Sequence, residues 1–167
     1  MQSDVLTRVL AIWGAFLSSV GLGWNLYRDL IDRARLKPEA YVRRIVQAGG
    51  SGWYAARPDL ELEGASEKVF VVMNVINRGR RQIVWQGWGG KHHKRPGLKE
   101  GFVIIPRNLP KLLRDGETHS DFTDALISRI EDVKELFVWD ATGKKWHITK
   151  RNFRELIADC RKYRTQA

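Results

Sequence analysis

The sequence predicts a mainly β protein: an N-terminal transmembrane helix, then an antiparallel immunoglobulin-like β-sandwich with a C-terminal helix. Three observations predict it. Val9 to Leu26, VLAIWGAFLSSVGLGWNL, carries no charged side chain and would span roughly 27 Å as a helix, close to the hydrocarbon thickness of a bilayer. About seven short runs rich in β-branched and aromatic residues follow, separated by Gly, Asn and Asp turn signals. The chain then closes on Phe153, Leu156, Ile157 and Cys160, which share one face of a helix.

The first segment is read as an anchor. It is longer than a signal-peptide core and lacks a small-x-small cleavage pattern, and it has no polar face of the kind a soluble helix shows. Trp13, Trp24 and Tyr27 lie toward its ends, where aromatic rings favour the headgroup level. Only Arg8 flanks it on the N-terminal side, whereas Arg28, Arg33, Arg35, Lys37, Arg43 and Arg44 follow it. The positive-inside rule therefore expects a single pass through the inner (plasma) membrane, with the N-terminus outside and the domain cytoplasmic. The expected organisation is an extracytoplasmic tail over 1–8, a transmembrane helix over 9–27, a basic juxtamembrane helix over 28–37 and the sandwich domain over 38–167. A single cysteine, Cys160, allows no internal disulfide, in keeping with a reducing compartment. Ala11, Ala15, Ser19 and Gly23 recur every four residues and would let a second helix approach closely, which allows a homo-oligomer through this helix, although small residues are also simply frequent in membrane helices. No ionisable residue lies within the run, which argues against a pore built from this helix alone.

The strands are read in order. Pro38 is expected to end the juxtamembrane helix, and Tyr41–Gln47 to form the first strand. Leu60 and Leu62 alternate with acidic residues in a short strand or edge segment. Lys68–Ile76, KVFVVMNVI, is apolar on both faces and reads as a central strand. Asn77-Arg78-Gly79-Arg80 is expected to turn, with Gly79 at positive φ, into a hairpin with Gln82–Trp88, which Gly87, Gly89 and Gly90 would end. Phe102–Ile105 and Glu117–Phe122 are further strands, the second preceded by an Asp115-Gly116 turn. Asp124–Ile130 reads as a short helix capped by Asp121 or Thr123. Glu135–Asp140 and Lys145–Thr149 form a hairpin across Ala141-Thr142-Gly143-Lys144, and Asn152 and Glu155 stand at capping-box spacing before the last helix.

Composition narrows function without naming it. The net charge is +10, and on a membrane-tethered domain such charge most often faces anionic inner-leaflet lipid. Arg78, Arg80, Arg81, Lys91, Lys94 and Arg95 are the candidate interaction residues. Trp85 and Trp88 beside the Lys91–Lys99 loop could instead stack bases, although a core strand followed by an exposed loop is the simpler reading. Catalytic constellations are not found. The histidines His92, His93, His119 and His147, with Cys160, show no metal-ligand spacing, so no metal or other cofactor is expected. No nucleophile elbow or phosphate-binding glycine motif occurs. Glu61 and Glu63 share a strand face in the manner of a solvated edge.

Asn77-Arg78-Gly79-Arg80-Arg81, Leu113-Arg114-Asp115-Gly116-Glu117 and Val138-Trp139-Asp140-Ala141-Thr142-Gly143-Lys144-Lys145-Trp146 occur in that order after the membrane helix. Together they resemble a group of small bacterial single-pass membrane proteins with a cytoplasmic immunoglobulin-like β-sandwich. The resemblance implies a fold and no catalytic residue. The function expected from all of this is a membrane-anchored, non-enzymatic interaction or accessory module with an unidentified protein partner. The alternatives are a membrane-tethered nucleic-acid binder and a membrane-perturbing effector acting through an oligomerised helix.

Overall fold

The computed structural model describes residues 2–47, 52–60, 62, 64–93, 100–104, 106 and 108–164. Helix α1 spans Gln2–Ile31, and its apolar stretch is not buried by the domain. The strands follow as β1 Leu36–Gln47, β2 Trp53–Ala56, β3 Ala65–Asn77, β4 Ile83–His92, β5 Gly101–Ile104, β6 Lys111–Leu113, β7 Thr118–Thr123, β8 Val133–Asp140 and β9 Lys145–His147. Helix α2, Lys150–Tyr163, closes the described chain.

Two antiparallel sheets form a sandwich-like body. The first has the order β2-β1-β3-β7, and the second β5-β4-β8-β9, with β6 also paired to β4. Their facing sides alternate regularly. Val42, Val69, Val71, Met73 and Val75 point inward from the first sheet, meeting Trp85, Trp88, Leu136 and Val138 from the second. Leu126, Ile127 and Ile130 close the core from the β7–β8 connection, and Leu156 and Cys160 close it from α2. As its two apolar faces suggested, β3 is central, paired with β1 on one side and β7 on the other.

Helix α2 seals an open edge. β2 pairs with β1 only from Arg44 to Gln47, so among the described residues the first half of β1 has no strand on that side. Pro38 lies in this half, where a missing N–H costs nothing. At Ala40, the Asn152 carboxamide accepts from the backbone N–H at 2.8 Å and donates to the carbonyl at 3.0 Å, as a neighbouring strand would. Asn152 is therefore not part of a capping box. The helix is capped by the Thr149 hydroxyl, which accepts from the Asn152 N–H.

Several expectations give way to long-range pairing. The juxtamembrane helix expected through Lys37 stops at Ile31, because Leu36 and Lys37 already pair with Asn77 and Ile76. β3 and β4 are not a hairpin; they belong to different sheets, so the Asn77–Gln82 turn crosses the sandwich. Gly79 has no positive φ; Gly64, Gly116 and Gly143 do. What Gly79 supplies is room, since a Cβ there would lie 2.1 Å from the Arg33 carbonyl oxygen. Gly87, Gly89 and Gly90 lie inside β4 rather than ending it, pressed against Trp139, the Phe102 carbonyl and the Glu135 carbonyl respectively. Asp124–Ile130 forms successive tight turns, with Ile127 N–H donating to the Asp124 carbonyl and Arg129 N–H to that of Leu126. Leu60 and Leu62 lie outside any strand, and Glu61 and Glu63 fall outside the described residues.

Candidate interaction surface at the helix-proximal end

The helix exit and three turns meet at one end of the sandwich, and two buried polar side chains organise them. Asn77, fully buried at the end of β3, donates to the carbonyls of Arg81 and Leu113 at 2.8 and 3.1 Å and accepts from the Gly79 N–H at 3.0 Å. Its backbone pairs with Gly116 and Glu117. One residue thereby ties the 78–82 turn to the 113–117 turn. Asp140, at the end of β8, does the same for the 140–145 turn. Its carboxylate accepts from the Thr142 N–H and hydroxyl, the Lys144 N–H and the Trp146 indole N–H. Burial pushes this carboxyl up, but the hydrogen bonds from Thr142, Trp146 and Lys144 outweigh it and hold it below the usual carboxylate range. Ala141 N–H donates to the Val84 carbonyl and fixes the turn to the base of β4.

These turns carry exposed basic side chains: Arg78, Arg80 and Arg81 on one, Arg114 on the second, Lys144 on the third. Arg28, Arg33 and Arg35 join them from the helix exit. The Arg78 N–H donates to the Arg35 carbonyl at 2.8 Å, which docks the exit on the domain. Arg80 and Arg81 pair with Asp32 and Asp29 of the same exit at 3.5 and 3.1 Å. Both pairs are exposed, so each contributes at most about 1 kcal/mol.

The candidate residues therefore divide. Arg78, Arg80 and Arg81 belong to the helix-proximal end, and two of them brace the helix. Lys91 lies near the other end of β4, roughly 25 Å away along the strand, and pairs with Glu135 at 3.3 Å. Lys94 and Arg95 lie outside the described residues. Trp85 and Trp88 lie in a core strand, the simpler of the two readings, and form no base-stacking patch. Both rings are fully buried, and their indole N–H groups donate to the Gly87 carbonyl and to Asp121. Burial raises the Asp121 carboxyl above its ordinary range and lowers the neighbouring His119 imidazole. Cys160 is buried as expected from its apolar stripe, and burial pushes its thiol up to about 12. Ala11, Ala15, Ser19 and Gly23 lie on exposed surface of α1, where the Ser19 hydroxyl donates to the Ala15 carbonyl at 2.9 Å. Among the described residues, no group of three or more His, Cys, Asp and Glu side chains is placed to hold a metal ion.

The sequence places Asp140 at the mouth of a hairpin turn, whereas nothing in it marks Asn77 as the tie between turns. Its only local signal was an Asn at the end of an apolar strand, and its side-chain partners stand up to 36 positions away.

Fold and surface together define a class: a two-sheet antiparallel sandwich carried on an N-terminal helix whose Thr7–Asp29 stretch is long and apolar enough to cross a membrane. No protein-family model, curated protein or solved structure matches the chain.

Proposed function

We propose that this protein is a single-pass membrane protein whose sandwich domain rests its basic helix-proximal end on anionic lipid and serves as a non-enzymatic interaction module. The observation that carries this reading is convergence: the apolar helix and the basic turns emerge at the same end of the domain. A helix seated in a bilayer would bring Arg33, Arg35, Arg78, Arg114 and Lys144 close to the headgroups. Each such side chain near an anionic leaflet contributes about 1 kcal/mol, and the attraction decays within a Debye length. Arg80 and Arg81 contribute less, because Asp32 and Asp29 partly neutralise them. The excess of Lys and Arg after the helix supports an orientation with the N-terminus outside and the domain cytoplasmic, at the inner membrane. The two-sheet body is read as immunoglobulin-like, in keeping with the resemblance to small bacterial membrane proteins.

The test uses the full-length protein reconstituted in vesicles of phosphatidylcholine alone or with phosphatidylserine. A spin label at Lys144→Cys reports contact with a headgroup-bound relaxation agent. The expected result is contact in the phosphatidylserine vesicles only, weakened by high salt and by Arg78→Gln with Arg114→Gln. Equal relaxation in both lipids would remove the anionic surface as the partner.

A further inference from the structure

The outer face of the first sheet is not the polar face that a solvated sheet usually presents. Register places Tyr41, Val72 and Phe122 side by side across β1, β3 and β7. Phe70 flanks them, its ring 5.3 Å from that of Phe122. Trp53 begins β2, the edge opposite β7, yet its ring centroid lies 4.7 Å from that of Phe122. Three strand spacings would set the backbones of these edges about 14 Å apart in a flat sheet. The sheet therefore curls over its own outer face, and the two rings lean together across it. The result is a groove of about 1100 Å³ with Val72 as its floor. Ile104, the last residue of β5, and Pro106 beyond it line it as well.

The chemistry of the lining is mixed. Aromatic rings offer flat faces. Asn74 and Ser120, hydrogen-bonded to each other at 2.9 Å, offer donors and acceptors at the groove wall. The Arg43 guanidinium lies 4.8 Å over the Tyr41 ring and donates to the Val42 carbonyl. Among the described residues Arg43 has the Val42 carbonyl and the Tyr41 ring as its contacts and no carboxylate within ion-pair distance, while the one carboxylate among the groove's described lining residues, Asp121, accepts from the Trp88 indole N–H. The Tyr41 hydroxyl donates to Glu39 at 2.6 Å, which fixes the ring beneath that guanidinium.

We propose that this groove binds a mononucleotide, its base stacked among Tyr41, Trp53 and Phe122 and its phosphate on Arg43. A flat ring suits the aromatic walls, an anion suits the unpaired guanidinium, and the amide and hydroxyl groups can bond a base edge. The volume suits one small ligand. The net charge of +10 raises the local concentration of any anion. This site is separate from the helix-proximal surface and does not depend on the membrane reading.

Isothermal titration of the full-length protein in phosphatidylcholine nanodiscs tests it, with AMP, GMP, CMP and UMP as ligands. Ribose 5-phosphate, inorganic phosphate and a short single-stranded oligonucleotide serve as comparison probes. The expected result is saturable binding of at least one mononucleotide, about tenfold or more tighter than ribose 5-phosphate. Arg43→Gln and Trp53→Ala should each weaken it about tenfold, whereas Lys91→Gln leaves it unchanged. Trp53→Leu keeps an apolar contact with Phe122 while removing the stacking ring, and it should weaken binding as Trp53→Ala does, with the unfolding transition retained. Four outcomes overturn the proposal: no saturable binding of any mononucleotide, equal affinity for ribose 5-phosphate, indifference to Arg43→Gln and Trp53→Leu, or binding of the oligonucleotide alone.

Discussion

Replacing Asn152 by Ala removes the clamp on the open half of β1. The two hydrogen bonds it makes with Ala40, at 2.8 and 3.0 Å, are long-range and buried, and Ala40 itself is fully buried. Among the described residues no strand stands ready to replace them, since β2 reaches only as far as Arg44. Each lost bond costs about 0.5–1.5 kcal/mol net, and a buried backbone group left without a partner raises that to about 1–3 kcal/mol. The expected loss is about 2–5 kcal/mol, a large share of the roughly 5–15 kcal/mol that holds a typical domain folded. Asn152→Asp separates hydrogen bonding from volume. It keeps an acceptor for the Ala40 N–H but sets a second oxygen against the Ala40 carbonyl. At neutral pH it should cost at least as much as Asn152→Ala, and part of the loss should return in acid, once the carboxyl is protonated and can donate. Urea unfolding of the full-length protein in micelles, followed through the fluorescence of buried Trp85 and Trp88, measures both variants. A loss below about 1 kcal/mol for Asn152→Ala, or wild-type stability for Asn152→Asp at neutral pH, would refute the clamp.

Two further outcomes are expected. Gly79→Ala places a methyl 2.1 Å from the Arg33 carbonyl oxygen and 2.5 Å from the Arg35 nitrogen, so the helix exit must shift at a cost of about 1–3 kcal/mol; trypsin should then cut after Arg33 and Arg35 faster than in the wild type, and an unchanged rate would show that the exit is not docked. Stability should fall as pH drops below about 6.5, because burial and, secondarily, Lys111 hold folded His119 below its ordinary value, against the opposing pull of Asp121 and Glu117. The unfolded chain then takes up the proton before the folded one does, so stability is full above the unfolded value and is lost as pH falls through the folded one. His119→Gln should flatten this part of the urea-midpoint profile, and a profile that keeps its slope in the variant would assign the effect to another group.

The parts of the fold legible in the sequence were those set by neighbours in the chain. The Asp140–Lys145 turn was readable because one carboxylate and one glycine at positive φ (Gly143, +79°) close it locally. The apolar run of β3 and the apolar stripe of α2 were readable because local composition in the one and helical period in the other mark buried surface. Sheet membership was not. Asn77-Arg78-Gly79-Arg80 has the composition of a hairpin turn, yet it crosses between sheets, because the Asn77 side chain bonds the Arg81 and Leu113 carbonyls and its backbone pairs with Glu117. The basic cluster was legible only as charge. Arg78 to Arg81 and Lys91 are close in sequence, but an extended strand carries them to opposite ends of the sandwich.

By itself, then, the sequence determined an uncharged helix followed by Lys and Arg, a mainly β domain, and an amphipathic closing helix. These follow from composition and period, which need no knowledge of what each face meets. Tertiary structure alone decided which basic residues gather at the helix exit, where Asn152 acts and that Trp53 meets Phe122 across the curled sheet. Those are contacts between segments remote in the chain, fixed by sheet register and by the need to pair every buried polar group, and no local pattern encodes them.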